Sequence, residues 1–160
     1  MLIKITDDLM RELSGKALAS TRKRTNYNFH KSPQDTVQRM LNAAEPGTYI
    51  RPHKHEDPDK TEVFVILRGR VVIVEFDENG GITDHVVLDR KKGACAVEIP
   101  PKVWHTFITL EPGSVLYEVK EGPYDKNNDK NFASWAPGEG EKGASEFNGN
   151  ILRSLKIGNQ

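Results

Sequence analysis

An antiparallel β barrel or sandwich is the fold class this sequence predicts, and three observations carry it. Between residues 37 and 121, short runs rich in Val, Ile, Phe and Thr alternate with Gly, Pro and Asn punctuation. No helical periodicity interrupts that block. Two tight turns, Asp77-Glu-Asn-Gly-Gly81 and Glu111-Pro-Gly113, join neighbouring runs as hairpins do.

In chain order, Thr6 can cap a helix in which Leu9, Leu13 and Ala17 recur on one face, with Asp7 and Asp8 in the first turn, where carboxylates suit the helix dipole. Residues 21–36 read as a polar, irregular stretch. Strands are predicted over 37–45, 48–55, 61–68, 70–77, 82–88, 94–99, 104–111 and 114–121. Val63–Leu67 and Val71–Val74 are apolar at every position, so both of their faces need cover. The barrel interior covers one face; the terminal segments or a second subunit must cover the other. Residues 122–160 are rich in Asn, Gly, Lys and Glu, with Phe132, Trp135 and Phe147 as isolated anchors and a short strand or helix at 151–155. The expected organisation is one domain over 1–160: a helix and loop at 1–35, a barrel core at 36–121 and an irregular C-terminal extension at 122–160.

Composition excludes several classes. Among 160 residues, 23 Lys and Arg balance 23 Asp and Glu, so the basic excess of a nucleic-acid-binding chain is missing. No apolar run approaches the ~20 residues of a membrane span, and MLIKITDDLM does not read as a signal peptide. The single cysteine, Cys95, forms no internal disulfide, which points to a cytoplasmic protein; it is expected as a buried, inert thiol.

The histidines carry the chemistry. His53 and His55 sit at i and i+2, so on a strand both imidazoles share a face. Glu62 opens the next predicted strand and can fold back beside them. His105 follows the turn Ile99-Pro-Pro-Lys-Val-Trp104 at the start of a later strand. A His-x-His pair alone fits an ordinary surface or core position. Three imidazoles and a carboxylate together suit one divalent transition metal ion, Zn, Fe, Mn, Ni or Co, with positions left for water or substrate.

The spacings Gly47-x5-His53-x-His55-x6-Glu62-x6-Gly69 and Gly93-x6-Pro100-x4-His105 resemble the two cupin motifs. The resemblance implies a double-stranded β-helix (jelly-roll) barrel, with the metal held in its mouth by His53, His55, Glu62 and His105. The His55-to-Glu62 interval is longer than usual there, Lys102 stands where a glycine is expected, and Thr109 stands where an asparagine is frequent. Arg22-Lys-Arg24-x2-Tyr27-Asn-Phe-His30, Glu45-Pro-Gly-Thr-Tyr-Ile-Arg-Pro-His53, Ala96-Val-Glu-Ile-Pro100, Leu110-Glu-Pro-Gly-Ser114, Tyr117-Glu-Val-Lys120-x-Gly-Pro-Tyr124 and Trp135-Ala-Pro137 are similar to one subfamily, the WbuC-type cupin metalloproteins. That resemblance spans residues 6 to about 140 and implies a link to bacterial surface-polysaccharide and O-antigen biosynthesis. It leaves the reaction open. Cupin habit and the doubly apolar strands together favour a homodimer.

Alternation then nominates the pocket walls. Tyr49 and Arg51 should share the face of His53 and His55, Phe64 and Ile66 that of Glu62, and Phe107 and Thr109 that of His105. Arg51 either pairs with an anion (Glu62, Glu118 or a bound carboxylate or phosphate) or is solvated at the rim. His30 and Asn28, with Tyr27 and Arg24, either line a pocket mouth or make loop hydrogen bonds. The runs Arg22–Arg24 and Arg90–Lys92 read as solvated faces, His85 as a surface residue and Trp104 as packing. The expected ligand is small and polar, sugar-like or a carboxylate. The alternatives are a metal-dependent isomerase, hydrolase or dioxygenase, a non-catalytic binding or regulatory module, and a barrel merely braced by its metal.

Overall fold

A computed structural model describes residues 2–158. The described elements are α1 (Asp7–Ala19), β1 (Arg24–Asn28), β2 (Val37–Ala44), β3 (His53–Lys54), β4 (Glu62–Arg68), β5 (Arg70–Phe76), β6 (Ile82–Asp89), β7 (Ala96–Ile99), β8 (Trp104–Thr109), β9 (Ser114–Glu121), β10 (Asn131–Phe132) and α2 (Ala144–Ser154). They form two five-stranded antiparallel sheets, ordered β1-β2-β9-β4-β7 and β10-β3-β8-β5-β6. Packed face to face, these sheets make a jelly-roll barrel.

Local chemistry explains the joints. Thr6 caps α1 by accepting from the Leu9 amide at 3.3 Å. The β5–β6 hairpin closes on Asp77, whose Oδ1 accepts from the amides of Asn79 and Gly81, each at 2.8 Å. Gly69 joins β4 to β5 with φ of 72°, and a Cβ there would lie 2.8 Å from Ser114 Cα, so this turn requires glycine.

The barrel interior is filled by Phe64, Ile66, Val71, Ile73, Leu88, Ile99, Phe107 and Leu116. Outside, each sheet has its own helix. Met10, Leu13 and Ala17 of α1 cover Leu41, Ala43 and Val115 of the first sheet. Ile151 of α2, with Trp135 and Phe147, covers Val72, Val74 and Ile108 of the second. The outer face of β5 is thus covered by the chain's own C-terminal segment, whereas Val63 and Val65 on the outer face of β4 stay half-buried.

The fold departs from the sequence reading in four places. Residues 24–28, read as irregular, form an edge strand paired with β2 from Arg24↔Ala44 to Asn28↔Met40. An edge strand with one exposed side needs no apolar alternation, so its polar sequence hid it. The strand expected over 48–55 is reduced to His53–Lys54, because Pro52 breaks the run. The C-terminal extension adds β10 against β3 and a helix that begins at Ala144, well before 151. Cys95 is exposed, not buried. No helix among the described residues is long and apolar enough to cross a membrane.

Candidate metal centre

Four buried side chains, His53, His55, Glu62 and His105, converge at one end of the barrel, and one ligand atom from each lies within 4.8 Å of all the others. The strands bring them together. β3 carries His53 directly opposite His105 of β8, and Glu62 opens β4 in the facing sheet. The cluster could hold a metal ion.

The backbone fixes how the imidazoles face. His53 Nδ1 lies 3.0 Å from the Arg51 carbonyl and His105 Nδ1 lies 2.9 Å from the Val103 carbonyl. His55 Nδ1 meets the Asp129 carbonyl. A carbonyl oxygen only accepts, so each Nδ1 carries its proton and each Nε2 turns a lone pair toward the centre. There, Nε2 of His105 and of His55 lie 3.0 and 3.3 Å from Glu62 Oε2. Lone pairs facing a carboxylate at that range repel unless a cation, proton or metal, sits between them. His53 Nε2 is buried with no hydrogen-bond partner among the described residues. This donor set fits Zn, Fe, Mn, Ni or Co.

The electrostatics agree with a site built for positive charge. Burial, followed by the charge of Lys130, holds the His53 pKa well below the ordinary imidazole value. Burial alone would raise Glu62, but the adjoining His105 and His55 imidazoles and the charge of Lys120 outweigh it and keep this carboxyl well below the usual range. Glu118, next inward on β9, is pushed up to about 8 by burial and then by the charge of Glu62. Asn42 Nδ2 donates to Glu118 at 2.5 Å.

Behind His55 lies a second buried cluster. Asp129, whose carbonyl receives the His55 proton, accepts from Lys60 Nζ at 2.8 Å and from Lys120 Nζ at 2.7 Å. Burial disfavours the Asp129 carboxylate, but Lys120 and Lys60 more than compensate and hold its pKa down. Two ammonium groups thus anchor the residue that orients a candidate ligand.

A cavity of about 410 Å³ opens onto the centre. His53, Glu62, His105, Phe64 and Phe107 line it, with Ile50, Asn42, Glu118, Lys130, Arg22 and Arg24. The other nominated residues lie elsewhere. Tyr49 packs edge-on to Phe147 and donates to the Pro137 carbonyl at 2.6 Å. Arg51 donates twice to the Ala133 carbonyl, at 3.1 and 2.7 Å, and lies over Phe132. Neither lines the cavity, because strand alternation does not cross Pro52; Ile50 takes the inward position. Arg51 has no anionic partner among the described residues, and it is half-buried against Phe132. Asn28 is exposed and accepts from Asn26, while His30 Nδ1 lies 3.1 Å from both the amide and the carbonyl of Arg39 and so makes one loop hydrogen bond there. Asn26, two residues earlier on the same strand, reaches the cavity wall instead. Glu118 was legible from β9 alternation, since Leu116, Glu118 and Lys120 share a face. Asp129 and Lys130 carry no local signal, because tertiary folding of the C-terminal extension brings them to the site.

The fold is shared with solved structures. CapF from Staphylococcus aureus, a capsular polysaccharide assembling protein, is 25% identical with a TM-score of 0.58, and the match covers 71% of this chain and 30% of that one. The chain therefore spans less than a third of CapF. L-ribose isomerase from Cellulomonas parahominis, solved with L-psicose, matches at 15% identity and a TM-score of 0.54, with 69% of each chain covered. KdgF from Halomonas sp. matches at 15% identity and a TM-score of 0.50, with 65% of this chain and 83% of that one covered. The architecture shared with these structures is the cupin-type barrel. No curated protein sequence matches the chain. One family model does, and it runs from before α1 through His53, His55 and Glu62: over residues 5–88, the chain belongs to the family described as a domain of unknown function, DUF6016.

Proposed function

We propose that the protein is a metal-binding cupin of the WbuC type. It holds one divalent transition metal ion through His53, His55, Glu62 and His105, and it handles a small polar, sugar-like or carboxylate ligand in bacterial surface-polysaccharide biosynthesis. The observation that carries the proposal is the convergence of four buried ligand atoms within 4.8 Å, with the imidazole Nε2 atoms turned inward by carbonyl contacts. The fold likeness to a capsular polysaccharide assembling protein supports the polysaccharide link. When bound, the metal supplies Lewis-acid polarisation of a ligand oxygen. Phe64 and Phe107 wall the cavity beside it, and Ile50 closes the side where Pro52 turns the chain.

The test is elemental analysis of the purified protein alongside His53→Ala and His105→Ala. The proposal expects about one equivalent of a transition metal in the parent and little in either variant. Full metal retention in both variants contradicts the ligand assignment. Turnover of a sugar-nucleotide and small-acid panel, lost in His105→Ala, identifies an enzyme; saturable binding without turnover identifies a binding module. The cytoplasmic location and the homodimer follow from the cysteine count and the cupin resemblance, and a monomer in light scattering contradicts the latter.

A further inference from the structure

The cavity has a second charged region, away from the metal ligands. Arg22 and Arg24 line it on the N-terminal side, one in the turn after α1 and the other at the start of β1. Sequence alone reads Arg22–Arg24 as a solvated run. In the fold the Arg24 side chain is only 18% exposed and held in place. Its Nη1 donates to Thr48 Oγ1 at 3.1 Å and to the Tyr49 carbonyl at 2.9 Å. Thr48 Oγ1 in turn donates to the Arg22 carbonyl at 2.8 Å, which ties the two arginines into one unit.

Both guanidinium groups converge on a single carboxylate. Arg22 Nε and Nη2 reach the two oxygens of Glu139 at 2.6 and 2.7 Å, and Arg24 Nη2 adds a third contact at 2.8 Å. Three N–H donors around one oxyanion, two of them in a side-on fork, form the geometry that selects carboxylate and phosphate groups. Glu139 lies between Gly138 and Gly140, the latter with φ of 84°, and its side chain is 38% exposed. Two arginines against one carboxylate leave this corner of the cavity with more cations than anions, while Glu62 and Glu118 line the wall at the histidine cluster.

We propose that Arg22 and Arg24 form an anion subsite of this cavity, that its ligand is a small molecule carrying a phosphate or carboxylate group, and that Glu139 fills the subsite as an internal stand-in until that group displaces it. The proposal rests on the reading of the cavity as a ligand site and names the ligand's charge class. It does not require the metal.

The test is calorimetric titration of the full chain with glucose 1-phosphate, glucuronate and neutral glucose, each with and without a chelator. Glu139→Gln removes the internal competitor and is expected to tighten binding of at least one anionic probe about tenfold while leaving glucose unchanged. The arm that gains more identifies phosphate or carboxylate as the recognised group. Arg24→Gln is expected to weaken the same probe about tenfold. A purely structural brace predicts the opposite pattern: Glu139→Gln lowers the melting temperature and tightens neither anion, and that result overturns the proposal, as does an equal gain for glucose. If Glu139→Gln does not fold, Glu139→Ala, which also removes the carboxylate, is read by the same criteria. Anion binding that survives in protein shown to bind no metal removes only the metal assignment, whereas metal binding without any anion effect removes only this one.

Discussion

The two ends of the barrel are built on the same strands and differ in what those strands turn inward. Along β4 the inward series runs Glu62, Phe64, Ile66; along β8 it begins His105, Phe107; along β9, read backwards, it runs Lys120, Glu118, Leu116. Registers align these changes: Glu62 sits opposite Lys120, Phe64 opposite Glu118 and Ile66 opposite Leu116. One end is therefore a buried polar network and the other an apolar core. Desolvating charge costs several kcal/mol per ion, so the polar end contributes little net stability, while the apolar end supplies it.

The comparison breaks most sharply at Asp129. Asp129→Ala strips two lysines, Lys60 and Lys120, each under 5% exposed, of their shared carboxylate. Denaturant unfolding should show a loss of ~3–5 kcal/mol, and His55 should lose its orientation with it. A change within experimental error would mean that water or another group already compensates these charges. At the apolar end, Leu116→Ala empties a site that is 1% exposed. A loss of ~2–5 kcal/mol is expected, with bound metal unchanged in stoichiometry. Metal loss accompanying a small stability change would show that the two ends are not separable.

The apolar end and the hairpins were legible in the sequence because alternation and turn chemistry are local. Seven of the eight predicted strands, β2 and β4 through β9, recur with shifts of a residue or two at their ends. The metal-ligand candidates were legible because His53 and His55 lie two apart across the short β3 strand and His105 opens another strand. What remained hidden depends on distant contacts. Alternation extended across Pro52 points Tyr49 and Arg51 inward, but Pro52 ends the strand pattern. β1 is an edge strand whose backbone pairing demands no apolar side chains. Asp129, Lys130 and Glu139 lie in a polar extension with no periodicity, and only its return to the barrel gives them partners.

The smallest effect concerns Tyr49, which sits on the outer packing of the barrel and not in the cavity. Burial, opposed by Arg51 and reinforced by Glu141, raises its pKa to about 12. In the unfolded chain the phenol ionises near ~10. A raised folded value means that the stabilising contribution is complete below the unfolded pKa and declines as pH climbs toward the folded one. Melting temperatures should fall between pH ~10 and ~12, and Tyr49→Phe should flatten part of that slope. An unchanged slope in the variant would place the phenol in solvent.

X-ray absorption at the metal edge of protein loaded with one equivalent of zinc tests the central claim most directly. The account predicts a first shell with three imidazole nitrogens and a carboxylate oxygen at ~2.0–2.2 Å. A spectrum without imidazole scattering, or zinc lost on desalting, would contradict it.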